Sequence, residues 1–220
     1  TLFPYTTLFR SQSSIISVRK SARRLMLYHE RKLIRRGKKN IAGIDEAGRG
    51  PLAGPVVAAA VILKEFSFNN RIADSKKLTG PSRERAYAEI MGKAYVGIGI
   101  VGEKEIDDIN ILKATLKAMK MAVTDLRARP DHLLIDGNSA PPGIRCPKTL
   151  IINGEAHSLS IACASIIAKV TRDLIMSYYD AVYPEYGFGR HKGYGTKRHF
   201  GALREFGPSP IHRRTFTLVK

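Results

Sequence analysis

Four carboxylates stand where alternating strands and helices could bring them together: Asp45 and Glu46 at the end of IAGID (41–45), Asp136 at the end of HLLID (132–136), and Glu155 after TLII (149–152). Strand ends are where an α/β scaffold makes sites converge. Neighbours on an ideal strand face opposite ways, so Asp45 and Glu46 share one cluster only if the chain bends between or just after them, which Gly48 and Gly50 permit. Hard oxygen ligands with no His or Cys among them favour Mg²⁺ or Mn²⁺ over zinc. Phosphodiester cleavage needs a nucleophilic water and a stabilised leaving oxygen; two cations about 3.5–4 Å apart supply both, and three or four carboxylates are a natural minimum for holding them. Any one of these acids taken alone reads more readily as a solvated turn residue.

The elements that must position them follow from hydrophobic periodicity. From Ser21 to Arg36 apolar residues recur at helical intervals among basic ones, with Gly37 as the stop. IAGID and PVVAAAVIL (55–63) are strands with a glycine-rich turn between them, and YVGIGIV (95–101), HLLID and TLII add three more. Helices are expected from Pro81 to about Met91, from Ile109 to Arg127, and from Ser158 to Tyr183, where Pro184 ends the last. The stretch 184–217 is loop-rich, basic and aromatic. The whole predicts an α/β sandwich with a mixed sheet and one contiguous core, without internal repeats.

Composition narrows the partners. In 220 residues, 44% hydrophobic and 25% charged, there is room for one catalytic domain and no apolar run long enough to cross a bilayer. Cys146 and Cys163 lack the spacing of a disulfide framework or a zinc site, which suits a reducing cytosol. The formal net charge of +18 points to polyanions. Residues 19–39 hold ten Lys and Arg against Glu30 alone, so +9 of that charge lies ahead of the carboxylate motifs, on a segment that is either a solvated helix or a nucleic-acid contact. Residues 1–11, TLFPYTTLFRS, are set apart: they match the translation of a common sequencing adapter and carry no signal-peptide pattern.

The string IAGIDEAGRGPLAGPVVAAAVIL (41–63) resembles the opening motif of ribonuclease HII. The resemblance continues through ADSKKL (73–78), NILKATLKAM (110–119), LLIDGN (133–138), SLSIACASIIAKVTRD (158–173), YPEYGFGRHKGYGT (183–196) and HRRTF (212–216), covering about residues 21–217. It implies a ribonuclease-H-like α/β fold, a mixed central sheet flanked by helices with a helical C-terminal extension. The implied organisation is a basic N-terminal helical segment at 12–39 and a catalytic domain at 40–220. The implied activity is endonucleolytic hydrolysis of RNA in RNA–DNA hybrids, and cleavage 5′ of single ribonucleotides embedded in duplex DNA, by a cytoplasmic monomer using two Mn²⁺ or Mg²⁺ ions.

By that resemblance Asp45, Glu46 and Asp136 are metal-binding carboxylates. Glu155 takes the fourth acidic position, where the family has Asp in a GD dipeptide. One extra methylene moves the carboxylate by a bond length, comparable to or larger than the roughly 0.5 Å tolerance of a preorganised site. The turn Gly48-Arg49-Gly50 resembles the element that recognises the ribose 2′-hydroxyl, and Tyr194 the tyrosine that packs against the sugar beside the junction. Lys76, Lys77, Lys169, Arg172 and Lys192 are candidates for phosphate contact, with solvated surface charge as the competing reading. No role is assigned to His157, His191 or His212. Ribonuclease HIII shares the fold, but GRG counts against it. The rival from another class is a non-catalytic nucleic-acid binder disabled by Glu155; a binder of polyanions gains nothing from clustered negative charge beside phosphates.

Overall fold

A computed structural model describes residues 26–72, 75 and 78–217. The adapter-like segment, the first part of the expected basic helix, Lys76 and Lys77 lie outside the described residues. Five strands form one sheet: β1 (Ile41–Ala47), β2 (Val56–Leu63), β3 (Ala94–Val101), β4 (His132–Asp136) and β5 (Lys148–Ile151), in the order β3-β2-β1-β4-β5. β1 pairs antiparallel with β2 and β2 with β3, whereas β1–β4 and β4–β5 are parallel. The sheet is therefore mixed, as expected.

The helices are α1 (Tyr28–Ile34), α2 (Gly80–Lys93), α3 (Glu103–Ile109), α4 (Ile111–Asp125), α5 (Leu159–Val182), α6 (Phe188–His191) and α7 (Lys197–Phe206). Every residue of β2 is buried because both faces of the sheet are covered. Val57, Ala59 and Val61 pack with Ala86 and Ile90 of α2 and with Ile166 and Ile167 of α5. Val56, Ala58, Ala60 and Ile62 face Ala114, Ala118 and Ala122 of α4 on the other side. α6 and α7 form the C-terminal extension, where Tyr186, Phe188, Ala202 and Ile211 close over Met176 of α5. Among the described residues no helix is long and apolar enough to cross a membrane.

Two details differ from the periodicity reading. The helix expected over Ile109–Arg127 is α4, and a further helix that was not expected, α3, precedes it; the two are separated at Asn110, whose φ is +69° and whose side chain accepts from the Lys113 amide at 3.1 Å. Asn competes with a continuous helix by capping a new one, and tolerates positive φ better than other residues. Among the described residues of the expected N-terminal helix, Tyr28–Ile34 are helical, and Leu33 packs with Ile41, Leu134, Ile151 and Ile161, so α1 rests on the core.

Candidate active site

The parallel pair β1–β4 brings the first acids together. Ile44 is in register with Ile135, so Asp45 and Asp136 follow side by side at the ends of adjacent strands. β5 lies beyond β4 and leads into a single 3₁₀ turn, Gly154–Ala156, that carries Glu155. The Gly154 amide donates to Asp136 Oδ1 at 2.7 Å, locking this turn to the end of β4. Asp45, Glu46, Asp136 and Glu155 thus line one cleft of about 380 Å³, together with Gly48, Arg49, Gly50, Lys169, Arg172 and Tyr194. β1 runs unbroken through both Asp45 and Glu46, and the bend follows at Gly48, with φ +97°. A Cβ at Gly48 would lie 2.1 Å from Arg172 Nε and 2.7 Å from the Pro55 carbonyl, so only glycine fits this turn.

The acids of the site repel one another. Asp45 is 5% exposed, and its carboxyl is pushed well above the ordinary range by burial first, then by Glu46 and Asp136; the Glu46 amide, which donates to Oδ1 at 2.7 Å, offsets part of this. Burial also raises Glu46, while the Arg49 guanidinium, 3.3 Å from Glu46 Oε1, pulls it back. Such a cluster is relieved by a cation, and with no His or Cys in the lining the donor set is that of a hard divalent ion. Among the described residues the carboxylates line the cleft without closing on one point: no three His, Cys, Asp or Glu side chains are gathered tightly enough to hold an ion as they stand. The residues fit such an ion by donor type and charge.

Two serines that sequence reasoning missed complete the lining. Ser165 Oγ donates to Glu155 Oε2 at 2.9 Å and pairs with Ser75 Oγ at 2.9 Å. Their only trace in the sequence is a hydroxyl in the otherwise apolar stretch IACASIIA and another in the ADSKKL motif. Arg213 was missed as well, its charge lost in the general basicity of the C-terminus. Fully buried, it donates to the carbonyls of Gly48 (2.6 Å), Arg49 (3.0 Å) and Gly54 (3.0 and 2.8 Å), fixing the GRG turn from beneath.

Arg172 corrects an expectation. It is 1% exposed, and its guanidinium donates to the carbonyls of Pro55 (2.9 Å), Lys192 (2.9 Å) and Ala53 (3.0 Å). Those donors are committed to the backbone, so Arg172 shapes the cleft wall and offers no free fork to a phosphate. Lys192 lies outside the cleft lining, its amine donating to Ser177 Oγ at 2.8 Å and to the Asp173 carbonyl at 3.3 Å. Lys169 stays in the cleft, 2.5 Å from Asp173 Oδ1. Arg49 and Tyr194 are the open groups, with Arg49's side chain 51% and Tyr194 48% exposed; a Cβ on Gly50 would touch the Tyr194 ring at 3.6 Å.

The histidines hold the Tyr194 loop. The Ser209 amide donates to His212 Nδ1 at 2.9 Å, so His212 carries its proton on Nε2 and gives it to His199 Nε2 at 2.8 Å. His199 then donates from Nδ1 to the Tyr194 carbonyl at 2.9 Å. The partners fix both tautomers, and a proton on either acceptor nitrogen breaks the chain. Burial first, and His199 second, lower His212 from 6.5 to about 4. The unfolded chain takes up this proton near pH 6.5 and the folded protein resists it until about 4. The stability this gives is therefore complete above pH 6.5 and declines as the pH falls through that window. Melting temperature is expected to drop from pH 7 to 4.5, and to drop less steeply in His212→Asn; equal slopes would exclude His212 as the titrating group.

A larger concavity, about 800 Å³, lies on α4 between Leu116, Met121, Ile98 and Pro142. Its one carboxylate, Asp125, accepts from the Ile98 amide at 2.9 Å, so the groove gathers no acids for chemistry.

Comparison with known proteins agrees with this geometry. A family model described as ribonuclease HII matches residues 42–219. Ribonuclease HII of Acetivibrio thermocellus is 56% identical over 193 residues, covering 87% of this chain and 75% of that protein. Ribonuclease HII of Bacillus licheniformis is 55% identical over 196 residues, 89% of this chain and 76% of the relative. Among solved structures, ribonuclease H2 from Pyrococcus horikoshii OT3 superposes with a TM-score of 0.69 at 27% identity, over 82% of this chain and 95% of that one. A carboxylate cleft at the ends of parallel strands, a glycine turn beside it and relatives of this closeness along most of the sequence lead to one conclusion: the chain belongs to the ribonuclease HII family.

Proposed function

We propose that Asp45, Glu46, Asp136 and Glu155 are the metal-binding and catalytic carboxylates of this ribonuclease H, holding two Mg²⁺ or Mn²⁺ ions for cleavage on the 5′ side of a ribonucleotide. The observation that carries the reading is the convergence of four acids from three separate chain segments in one cleft, beside the GRG turn and an exposed tyrosine. When bound, such cations activate the attacking water and stabilise the leaving 3′ oxygen. The chain's own residues do the rest. Arg213 bonds the carbonyls of the Gly48–Gly50 turn and Arg172 those of Ala53 and Pro55 behind it, so the turn's backbone stands ready for the ribose 2′-hydroxyl, the group that distinguishes RNA from DNA. Tyr194 presents its ring for packing against the adjacent sugar, and Lys169 supplies positive charge for a phosphate. The Ser165 hydroxyl anchors Glu155, which accommodates the longer side chain at the fourth position.

The substrates we propose are RNA–DNA hybrids and duplex DNA containing single ribonucleotides, acted on by a monomer in the cytoplasm as part of ribonucleotide removal. A labelled duplex with one ribonucleotide, incubated with the full chain and Mg²⁺ or Mn²⁺, is expected to be cut 5′ of that ribonucleotide, leaving 3′-hydroxyl and 5′-phosphate ends, and to stay intact under chelation. An intact duplex that is nevertheless bound under both metals would replace this reading with that of a non-catalytic binding protein.

A further inference from the structure

Helix α1 lies outside the residues matched by the family model, yet its one acid reaches the segment that carries the fourth carboxylate. Glu30 is 1% exposed. Its Oε1 accepts from Ser158 Oγ at 2.6 Å, Ser160 Oγ at 2.8 Å and the Ser160 amide at 3.0 Å. A second tie is made by the backbone, where the Leu159 amide donates to the Met26 carbonyl at 2.8 Å. Both ties grip the start of α5, whose N-cap is Ser158.

From there the hydrogen bonds run straight into the cleft. The amides of Ser158 and His157 donate to the Gly154 carbonyl at 2.8 and 2.9 Å, and the Gly154 amide donates to Asp136 Oδ1 at 2.7 Å. Glu155 sits inside this run. Glu30 also keeps its other oxygen, Oε2, buried without a hydrogen-bond partner. A buried carboxylate is costly to keep even when bonded, and is poor evidence of a purely stabilising role.

We propose that Glu30 is a positioning residue for the metal-binding carboxylates. By clamping the first turn of α5 it fixes the Gly154–Ala156 turn, and through it the distance between Glu155 and Asp136. This rests on the reading of those two acids as cation ligands. α1 is then part of the catalytic apparatus, its basic residues facing outward while its acid faces the core.

The test titrates Mn²⁺ against the full chain and against Glu30→Ala, Glu30→Gln and Asp136→Asn, following both the rise in melting temperature on metal binding and the cleavage rate. In Glu30→Ala the Mn²⁺ concentration giving half the response is expected to rise about tenfold in both readouts, the lower end of what loss of an outer-shell partner costs. Glu30→Gln, whose amide oxygen still accepts, is expected to shift it less. A Glu30→Ala protein that melts lower without metal but responds to Mn²⁺ at the parent concentration would overturn the proposal, leaving Glu30 a packing residue. If Glu30→Ala does not fold, Ser160→Ala, which removes one hydroxyl donor to Glu30 and leaves the carboxylate in place, is measured in its stead, and an unshifted midpoint there overturns the proposal equally. A parent that responds to Mn²⁺ no differently from Asp136→Asn would instead remove the carboxylate reading, and the role of Glu30 with it.

Discussion

Asp136→Asn is expected to lower the rate of cleavage by roughly 10³-fold, the upper end of what loss of a single preorganised electrostatic partner costs, while the folded protein stays as stable as the parent or becomes more so. The two halves of this result have separate causes. Asn keeps the shape of the side chain and an oxygen that can accept from the Gly154 amide, so the turn that carries Glu155 remains docked. What disappears is one negative charge facing Asp45 and Glu46. That charge is among the causes that push the Asp45 carboxyl upward and raise Glu46, so its removal relieves repulsion that the fold otherwise bears. The same repulsion is what a divalent cation would use as binding energy. Paired rate and melting measurements decide the matter. A rate loss matched by a fall in melting temperature would assign Asp136 to the scaffold, and an undiminished rate would remove it from the site.

Gly43→Ala should be among the most damaging small changes in the molecule. Gly43 sits in the middle of β1, paired with Val61 on one side and Leu134 on the other, two residues before Asp45. A Cβ there would lie 2.1 Å from the Ser160 carbonyl carbon, 2.3 Å from the Ile161 amide nitrogen and 2.5 Å from the Ser160 carbonyl oxygen. All three atoms are backbone of the first turn of α5, so no rotamer change relieves the clash and the helix must back away from the sheet. Overpacking of well-packed cores costs about 1–3 kcal/mol, and a contact with no soft partner belongs at or beyond the upper end. The displaced turn is also the one that Glu30 grips and that leads back to Glu155, so activity should fall with stability. Chemical denaturation provides the measurement, with Gly92→Ala as the contrast. Gly92 lies in α2 with nothing within 4 Å of an added Cβ, and alanine there should be neutral or stabilising by up to about 1 kcal/mol. Equal midpoints for the two variants would mean that α5 is not held as closely against β1 as these distances require.

The sequence by itself determined the strands, most of the helices and the identity of the acids, because each of those rests on local information. β2 reads as an unbroken apolar run since both of its faces are covered, and Asp45, Asp136 and Glu155 stand out as acids that follow apolar strands. The glycine turn after Glu46 was legible for the same reason: its positive φ needs that residue type at that place. Partners distant in sequence were not legible, because periodicity and charge counting carry no information about them. Arg172 read as a phosphate contact and Arg213 as one more cation in a basic chain; only the tertiary structure turns their guanidiniums inward onto loop carbonyls and makes them the frame of the cleft. Ser165 is an ordinary small residue until α5 brings it against Glu155, and His212 is an unassigned loop histidine until His199 and Tyr194 give its proton a direction. Glu30 looked like a lone acid on a basic surface helix. The structure buries it because the chain returns Ser158, 128 positions further along, to its side, and hydrogen bonding at that separation is decided by the packing of α1 and α5 rather than by any pattern along the chain.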